Sequence, residues 1–154
     1  MELELIELTH KNEVCKTYEI YKHCMFMPTE EKFNKKIDQF LNDNSIKIFA
    51  CFNQVEIEGV IVVSFVEQSK IEIIGIAVDL SARGKGIGSY MINQIVNDYS
   101  LISVYAETDN DSVVFYQKND FSITEFYETY DGEAVVRYKC ELLNKICDFM
   151  LLRY

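Results

Sequence analysis

The sequence predicts one mixed α/β domain over residues 1–154. Its expected core is a mostly antiparallel sheet with one parallel strand pair and helices on both faces. Three observations carry this. The chain has 154 residues, 49% of them apolar, with one proline and six glycines, enough for one core and too apolar for a disordered segment. Three apolar, β-branched-rich runs follow one another at Ile46–Phe52, Gly59–Val66 and Ile71–Val78, with hairpin-length connections between them. The third run enters a glycine loop, an amphipathic stretch and another apolar run, Leu101–Ala106. A strand, helix and strand in that order pair in parallel.

Each element has its own local signal. Residues 2–8 alternate like a strand. Val14, Tyr18, Tyr21 and Met25 recur at helical spacing, which predicts a helix over 11–26. Pro28-Thr29-Glu30-Glu31 starts the next helix: a breaker, a capping hydroxyl and acids in the first turn. Phe33, Ile37, Phe40 and Leu41 continue it on one face, and Asn42-Asp43-Asn44 ends it. Residues 87–99 read as a helix with Met91, Ile92, Ile95 and Val96 inward, and residues 110–118 as another. Phe121–Tyr130 and Ala134–Glu141 read as strands joined by Tyr130-Asp131-Gly132-Glu133, where Asp-Gly suits a tight hairpin. Leu142–Tyr154 is apolar and reads as helix-like.

Composition excludes several functions. A net charge of −10, from 15 basic and 25 acidic residues, argues against nucleic-acid binding and fits a cationic partner. No apolar run approaches the ~20 residues that span a bilayer. The five cysteines are odd in number and show no paired spacing, and two histidines add no metal framework. Reduced thiols in the cytoplasm, no membrane and no metal are the expectations.

The chemistry begins at Val78-Asp79-Leu80-Ser81-Ala82-Arg83-Gly84-Lys85-Gly86-Ile87-Gly88-Ser89. A buried strand runs into alternate glycines that open a helix. Glycines admit close approach to backbone N–H groups, and a helix start offers unpaired donors. The result is a diphosphate cradle, with Arg83 and Lys85 adding charge. A Walker A loop fails because no lysine-serine or lysine-threonine pair follows Gly86. A dinucleotide fingerprint counted from Gly84 puts Ser89 where the third glycine belongs, and three strands already precede the loop.

The spacing Arg83-x-x-Gly86-x-Gly88 resembles the first signature of the GNAT superfamily of N-acetyltransferases. The order of elements resembles that fold from end to end. Asp109-Asn110-Asp111-Ser112-Val113-Val114-Phe115-Tyr116-Gln117-Lys118-Asn119-Asp120-Phe121 is similar to the family's second signature. Asp109 stands at the usual asparagine, Ser112 at the usual alanine and Asp120 at the usual glycine. Aspartate tolerates left-handed angles, so that turn can survive.

The resemblance implies acetyl-CoA as co-substrate, its pantetheine arm lying between two splayed parallel strands. Backbone contacts fall to Ile76, Ala77 and Val78. The pyrophosphate falls to Arg83, Gly84, Lys85, Gly86, Ile87, Gly88 and Ser89. Either Asp109 or Asn110 contacts the cofactor, Asn110 being preferred.

An alkyl amine with pKa near ~10.4 is mostly protonated at neutral pH and needs a base. Glu72, which interrupts an apolar strand upstream of Arg83, matches a family position for that base, with Glu107 as the alternative. Tyr116 matches the tyrosine that gives a proton to the departing thiolate. None of the cysteines lies in either motif, so the implied route is direct attack in a ternary complex. Met25–Thr29 and the hairpin around Tyr127–Glu133 are expected to face a small-molecule or protein amine. Glu125, Glu128, Asp131 and Glu133 are candidates for an acidic mouth. A homodimer through Ile146–Leu152 is a further expectation. The rival reading is a non-catalytic acyl-CoA-binding or sensing module on the same fold, against which the retention of Tyr116 speaks.

Overall fold

A computed structural model describes residues 2–144. Strand β1, Leu3–Leu8, leads into helices α1, Lys11–Cys15, and α2, Tyr18–Tyr21, then a 3₁₀ turn at Lys22–Cys24 and helix α3, Glu30–Leu41. Strands β2, Ile46–Asn53, β3, Glu56–Glu67, and β4, Lys70–Val78, follow. Helix α4, Ile87–Asp98, precedes β5, Ser103–Thr108. Helix α5, Val113–Lys118, and strands β6, Ser122–Tyr130, and β7, Glu133–Leu143, complete the described chain. The seven strands form one sheet in the order β1-β2-β3-β4-β5-β7-β6. Every neighbouring pair is antiparallel except β4 with β5.

Alternation along the strands divides the core in two. Phe49, Cys51, Ile61 and Val63 face one way, onto Ile87, Met91, Ile92 and Ile95 of α4. Ile48, Ala50, Val60 and Val62 face the other way, onto Val14, Ile20, Phe33, Ile37 and Phe40 of α1–α3. The helices therefore lie on both faces, as expected. Each fully buried aliphatic side chain contributes about 1.5–3 kcal/mol to that packing.

The expected helix over 11–26 is broken. Thr17 is buried, and its hydroxyl donates to Val14 O at 2.7 Å, the local bond by which threonine competes with helix propagation. The chain restarts as α2, with Ile20 N and Tyr21 N both bonded to Thr17 O. Thr29 caps α3 as the sequence predicts, accepting from Lys32 N at 3.1 Å.

Helix α5 starts at Val113, not at 110. The Asp109 carboxylate holds the N–H groups of Asp111 and Ser112 at 3.0 and 3.2 Å and keeps that segment a turn. Strand β5 lies two residues later than the apolar run suggested. Leu142 and Leu143 extend β7 instead of opening a helix. The rest of that helix-like stretch, with the dimer surface expected at Ile146–Leu152, lies outside the described residues. Asp131 and Gly132 both have positive φ, as the predicted hairpin turn requires. Among the described residues no helix is long and apolar enough to cross a membrane.

Candidate functional site

The site is built where the sheet comes apart. β4 and β5 pair at Lys70↔Ser103, Ile71↔Val104 and Glu72↔Tyr105, and pairing stops there. Ile73–Val78 of β4 run on beside β3, and Ala106–Thr108 of β5 run on beside β7. The two stretches leave a gap whose β4 wall has no strand partner on the β5 side among the described residues. A bulge at Ile74, between Ile73 opposite Val63 and Gly75 opposite Val62, bends β4 at this point. It also changes which residues face which way. Ile71 and Ile73 lie in the α4 core, whereas past the bulge Ile76 and Val78 pack there and Ala77 joins the α1–α3 core.

The glycine loop closes one end of the gap. Gly84 and Gly86 have φ near +79° and +80°, in the left-handed region, and a Cβ on either would meet no atom within 4 Å. Gly86 is the N-cap of α4, no side chain caps that helix start, and the first helical bond runs from Tyr90 N to Gly86 O. The N–H groups of the first turn therefore face open space. Arg83 and Lys85 are exposed beside them. Arg83 Nε donates to Val78 O at 3.2 Å, which ties the loop to the end of β4 and occupies one backbone group of that strand. Ile87 and Gly88 are buried, so only their backbone is available to a ligand. Gly88 has a further duty: a Cβ there would lie 2.7 Å from the Phe115 ring.

The two predicted catalytic side chains come from opposite faces of the sheet. Ile71 and Ile73 are buried under α4, so Glu72, half-buried between them, stands on the other face. Tyr105 stands on that face too, since Val104 and Ala106 are in the α4 core. Its hydroxyl donates to Glu107 Oε1 at 2.6 Å. Burial, then the Glu107 bond, then the charges of Glu107, Glu72 and Glu141 push the Tyr105 phenol above its ordinary range.

Tyr116 approaches from the α5 side, 5% exposed, with its ring 5.2 and 5.1 Å from those of Phe115 and Phe121. Burial raises its pKa, with smaller contributions from Cys140 and Cys24.

Sequence reasoning did not single out Tyr105, which shares the face of Glu72. Tyr105 had a faint signal, an aromatic alternating with Val104 and Ala106. Of the expected acidic mouth, Glu125 lies on the α5 face with Tyr138, whereas Glu128 lies on the other. Glu128 accepts a hydrogen bond from Tyr130, and Arg137 Nε is 4.0 Å away. Glu125 and Glu128 therefore do not converge.

The acetyltransferase (GNAT) family model matches residues 14–121. The chain belongs to the acetyltransferase (GNAT) family. No curated protein matches the sequence. Solved structures share the fold at low identity. A Bacillus subtilis acetyltransferase in complex with CoA superposes with a TM-score of 0.67 and 17% identity, over 93% of this chain and 99% of its own. A GNAT family acetyltransferase from Elizabethkingia anophelis with acetyl-CoA bound gives 0.67 and 19%, over 92% and 98%. The ribosomal-protein-S18-alanine N-acetyltransferase of Escherichia coli gives 0.69 and 14%, over 92% and 94%.

Two departures from the GNAT pattern now have a physical account. Asp120 has φ +66°, so aspartate does adopt the left-handed turn in place of glycine. Asp109 spends its carboxylate on the α5 start. Asn110 is exposed, and its Oδ1 accepts from Tyr138 at 2.5 Å, which leaves the amide NH₂ as the group with donor capacity.

Proposed function

We propose that this GNAT protein moves an acetyl group from acetyl-CoA to a primary amine. The observation that carries the reading is the gap between β4 and β5, with a phosphate-type cradle at one end and Glu72 and Tyr116 on its two faces. The residues suit the cofactor. Open space beside Gly84 and Gly86 leaves room for a diphosphate against α4, and Arg83 and Lys85 supply charge. The unpaired side of Ile76, Ala77 and Val78 offers backbone groups to an extended chain, and Asn110 offers its amide. Structural neighbours solved with CoA or acetyl-CoA bound support the same choice.

When bound, the thioester supplies the activated acetyl group. Glu72 takes the proton of the amine, directly or through water, so that the neutral nitrogen attacks. Tyr116 donates to the sulfur of the departing thiolate. Its raised pKa keeps it a phenol throughout the physiological range, so it acts chiefly as a preorganised hydrogen-bond donor. An amine acceptor is supported by the neighbours named for spermidine and for the S18 alanine. The negative net charge favours a cationic one.

Thiol release from acetyl-CoA across a panel of polyamines, amino sugars, amino acids and peptides tests the reading. Turnover with at least one amine, and none without it, is the expected result. Tight acetyl-CoA binding with no turnover on the whole panel would favour the non-catalytic module instead.

A further inference from the structure

The glycine loop and the helix that carries Tyr116 meet where Gly88 faces Phe115. Gly88 lies in the first turn of α4, and it is buried. Glycine is a poor helix residue, and alanine ordinarily serves a helical turn better. Here the space for a side chain is already taken. A Cβ on Gly88 would lie 2.7 Å from Phe115 Cε1 and 2.9 Å from Cζ. The tip of the Phe115 ring is therefore seated against the α4 backbone, two residues past the left-handed Gly86.

Both sides of this contact are held. Behind it α4 rests on β3, where a Cβ on Gly59 would lie 2.9 Å from Met91 Cε and 3.0 Å from Ile87 Cγ2. In front of it the Phe115 ring packs edge-on against Tyr116, with centroids 5.2 Å apart and planes at 76°. Tyr116 meets Phe121 in the same way at 5.1 Å and 73°. The turn that ends α5 ties both backbones. Asn119 Nδ2 donates to Phe115 O at 2.8 Å, and Phe121 N donates to Tyr116 O at 3.1 Å.

We propose that Phe115 is a positioning residue: seated on Gly88, it sets the place of Tyr116 relative to the glycine loop. The proposal rests on the reading of Tyr116 as the donor to the leaving sulfur. The diphosphate and the thioester sulfur belong to one ligand, so the loop and the hydroxyl must keep a fixed separation for the donor to meet the sulfur. A side chain at position 88 drives the ring off α4. The ring then either presses on Tyr116 or swings to solvent and leaves it without that wall. Both outcomes move the hydroxyl.

The test is a double-mutant cycle of Gly88→Ala and Phe115→Leu, read as kcat at saturating acetyl-CoA with an accepted amine. Gly88→Ala should lower kcat about tenfold or more, the scale of a slight misplacement. Leucine is shorter than the ring and frees the space. Made in the Phe115→Leu background, Gly88→Ala should therefore cost less than about twofold. Equal losses in both backgrounds would overturn the proposal. So would a Gly88→Ala defect confined to acetyl-CoA affinity, since the glycine would then serve the loop alone. A second readout uses the free protein. The Tyr116 ring resonances should shift on Gly88→Ala, while those of Tyr99, packed against Phe49 and Phe65, stay in place. Unmoved Tyr116 resonances would also overturn it. If Gly88→Ala does not fold, Phe115→Leu alone decides, with a lower kcat and unchanged acetyl-CoA affinity expected and an unchanged kcat fatal. Tyr116→Phe isolates the underlying reading. A normal kcat there, or no turnover by the unaltered protein with any amine, sinks both. A loss there beside an additive cycle sinks the positioning role only.

Discussion

The glycine loop and the gap beside it are made in opposite ways. The loop is contiguous, Arg83–Ser89, and in the proposed role offers backbone N–H groups. Its conformation needs only two left-handed glycines and a helix start, and no side chain packs against Gly84 or Gly86. The gap is assembled from separate pieces: β4, β5 and α5. The groups proposed to act there are side chains held by burial and by neighbours. A site made of backbone should lose ligand affinity without losing stability when it is altered. A site made of packed side chains should lose chemistry or stability according to which side chain changes.

The sharpest way to break this contrast is Glu72→Gln. It keeps the shape of β4 and removes the proposed base, so kcat should fall about 10²-fold or more, the usual contribution of a positioned base. Acetyl-CoA binding should be unchanged. Steady-state kinetics with any accepted amine decides it, and an unchanged kcat would move the base elsewhere, with Glu107 next in line.

At the loop, Gly86→Val should separate binding from folding. The left-handed backbone costs a β-branched residue about 1–2 kcal/mol. The larger effect should be on the cofactor, with acetyl-CoA affinity falling about tenfold or more as the side chain enters the cradle, equivalent to about 1.4 kcal/mol. Calorimetry beside urea unfolding measures both. A large stability loss with intact affinity would contradict the backbone-cradle reading.

The reverse is expected at Gly75→Ala. Replacing a strand glycine ordinarily gains about 0.5–1 kcal/mol. Here the new Cβ strikes the Tyr21 ring, and overpacking of that kind costs about 1–3 kcal/mol, so the protein should be less stable. Adding Tyr21→Phe removes the atom nearest that Cβ and should recover part of the loss. Stability unaffected by Gly75→Ala would mean that the Tyr21 ring is not held against β4.

The smallest effect is a pH slope. Burial raises the thiols of Cys24, Cys51 and Cys140 from 9.0 to about 11. As pH rises the unfolded chain loses these protons first, so the folded state binds more of them and stability falls with pH. The thiol contribution is intact below pH 9 and lost as pH rises through about 11. Buried Tyr21 and Tyr116, also raised, act in the same direction above 10. A urea midpoint that stays flat from pH 9 to 11 would show the thiols to be wetter than the packing implies.

Local physics made much of this molecule legible in advance. Period-2 alternation marked the strands, the spacing of Met91, Ile92, Ile95 and Val96 marked α4, and Thr29 marked the start of α3. Arg83-x-x-Gly86-x-Gly88 and Phe115-Tyr116 marked the family, because a phosphate cradle and a helix start are built from neighbours along the chain. Where a side-chain bond competed with the pattern, the reading failed. The Thr17 hydroxyl split one helix, and the Asp109 carboxylate shortened another.

The sequence by itself therefore determined the order of elements, the glycine loop at the start of α4 and the family. Only the tertiary structure decided that Glu72 and Tyr116 lie on opposite faces of the sheet and that β4 and β5 part after Glu72↔Tyr105. The physical reason is range. Propensity, capping and turn chemistry act over a few residues, whereas strand register and the bulge at Ile74 are set by packing between segments far apart in the chain.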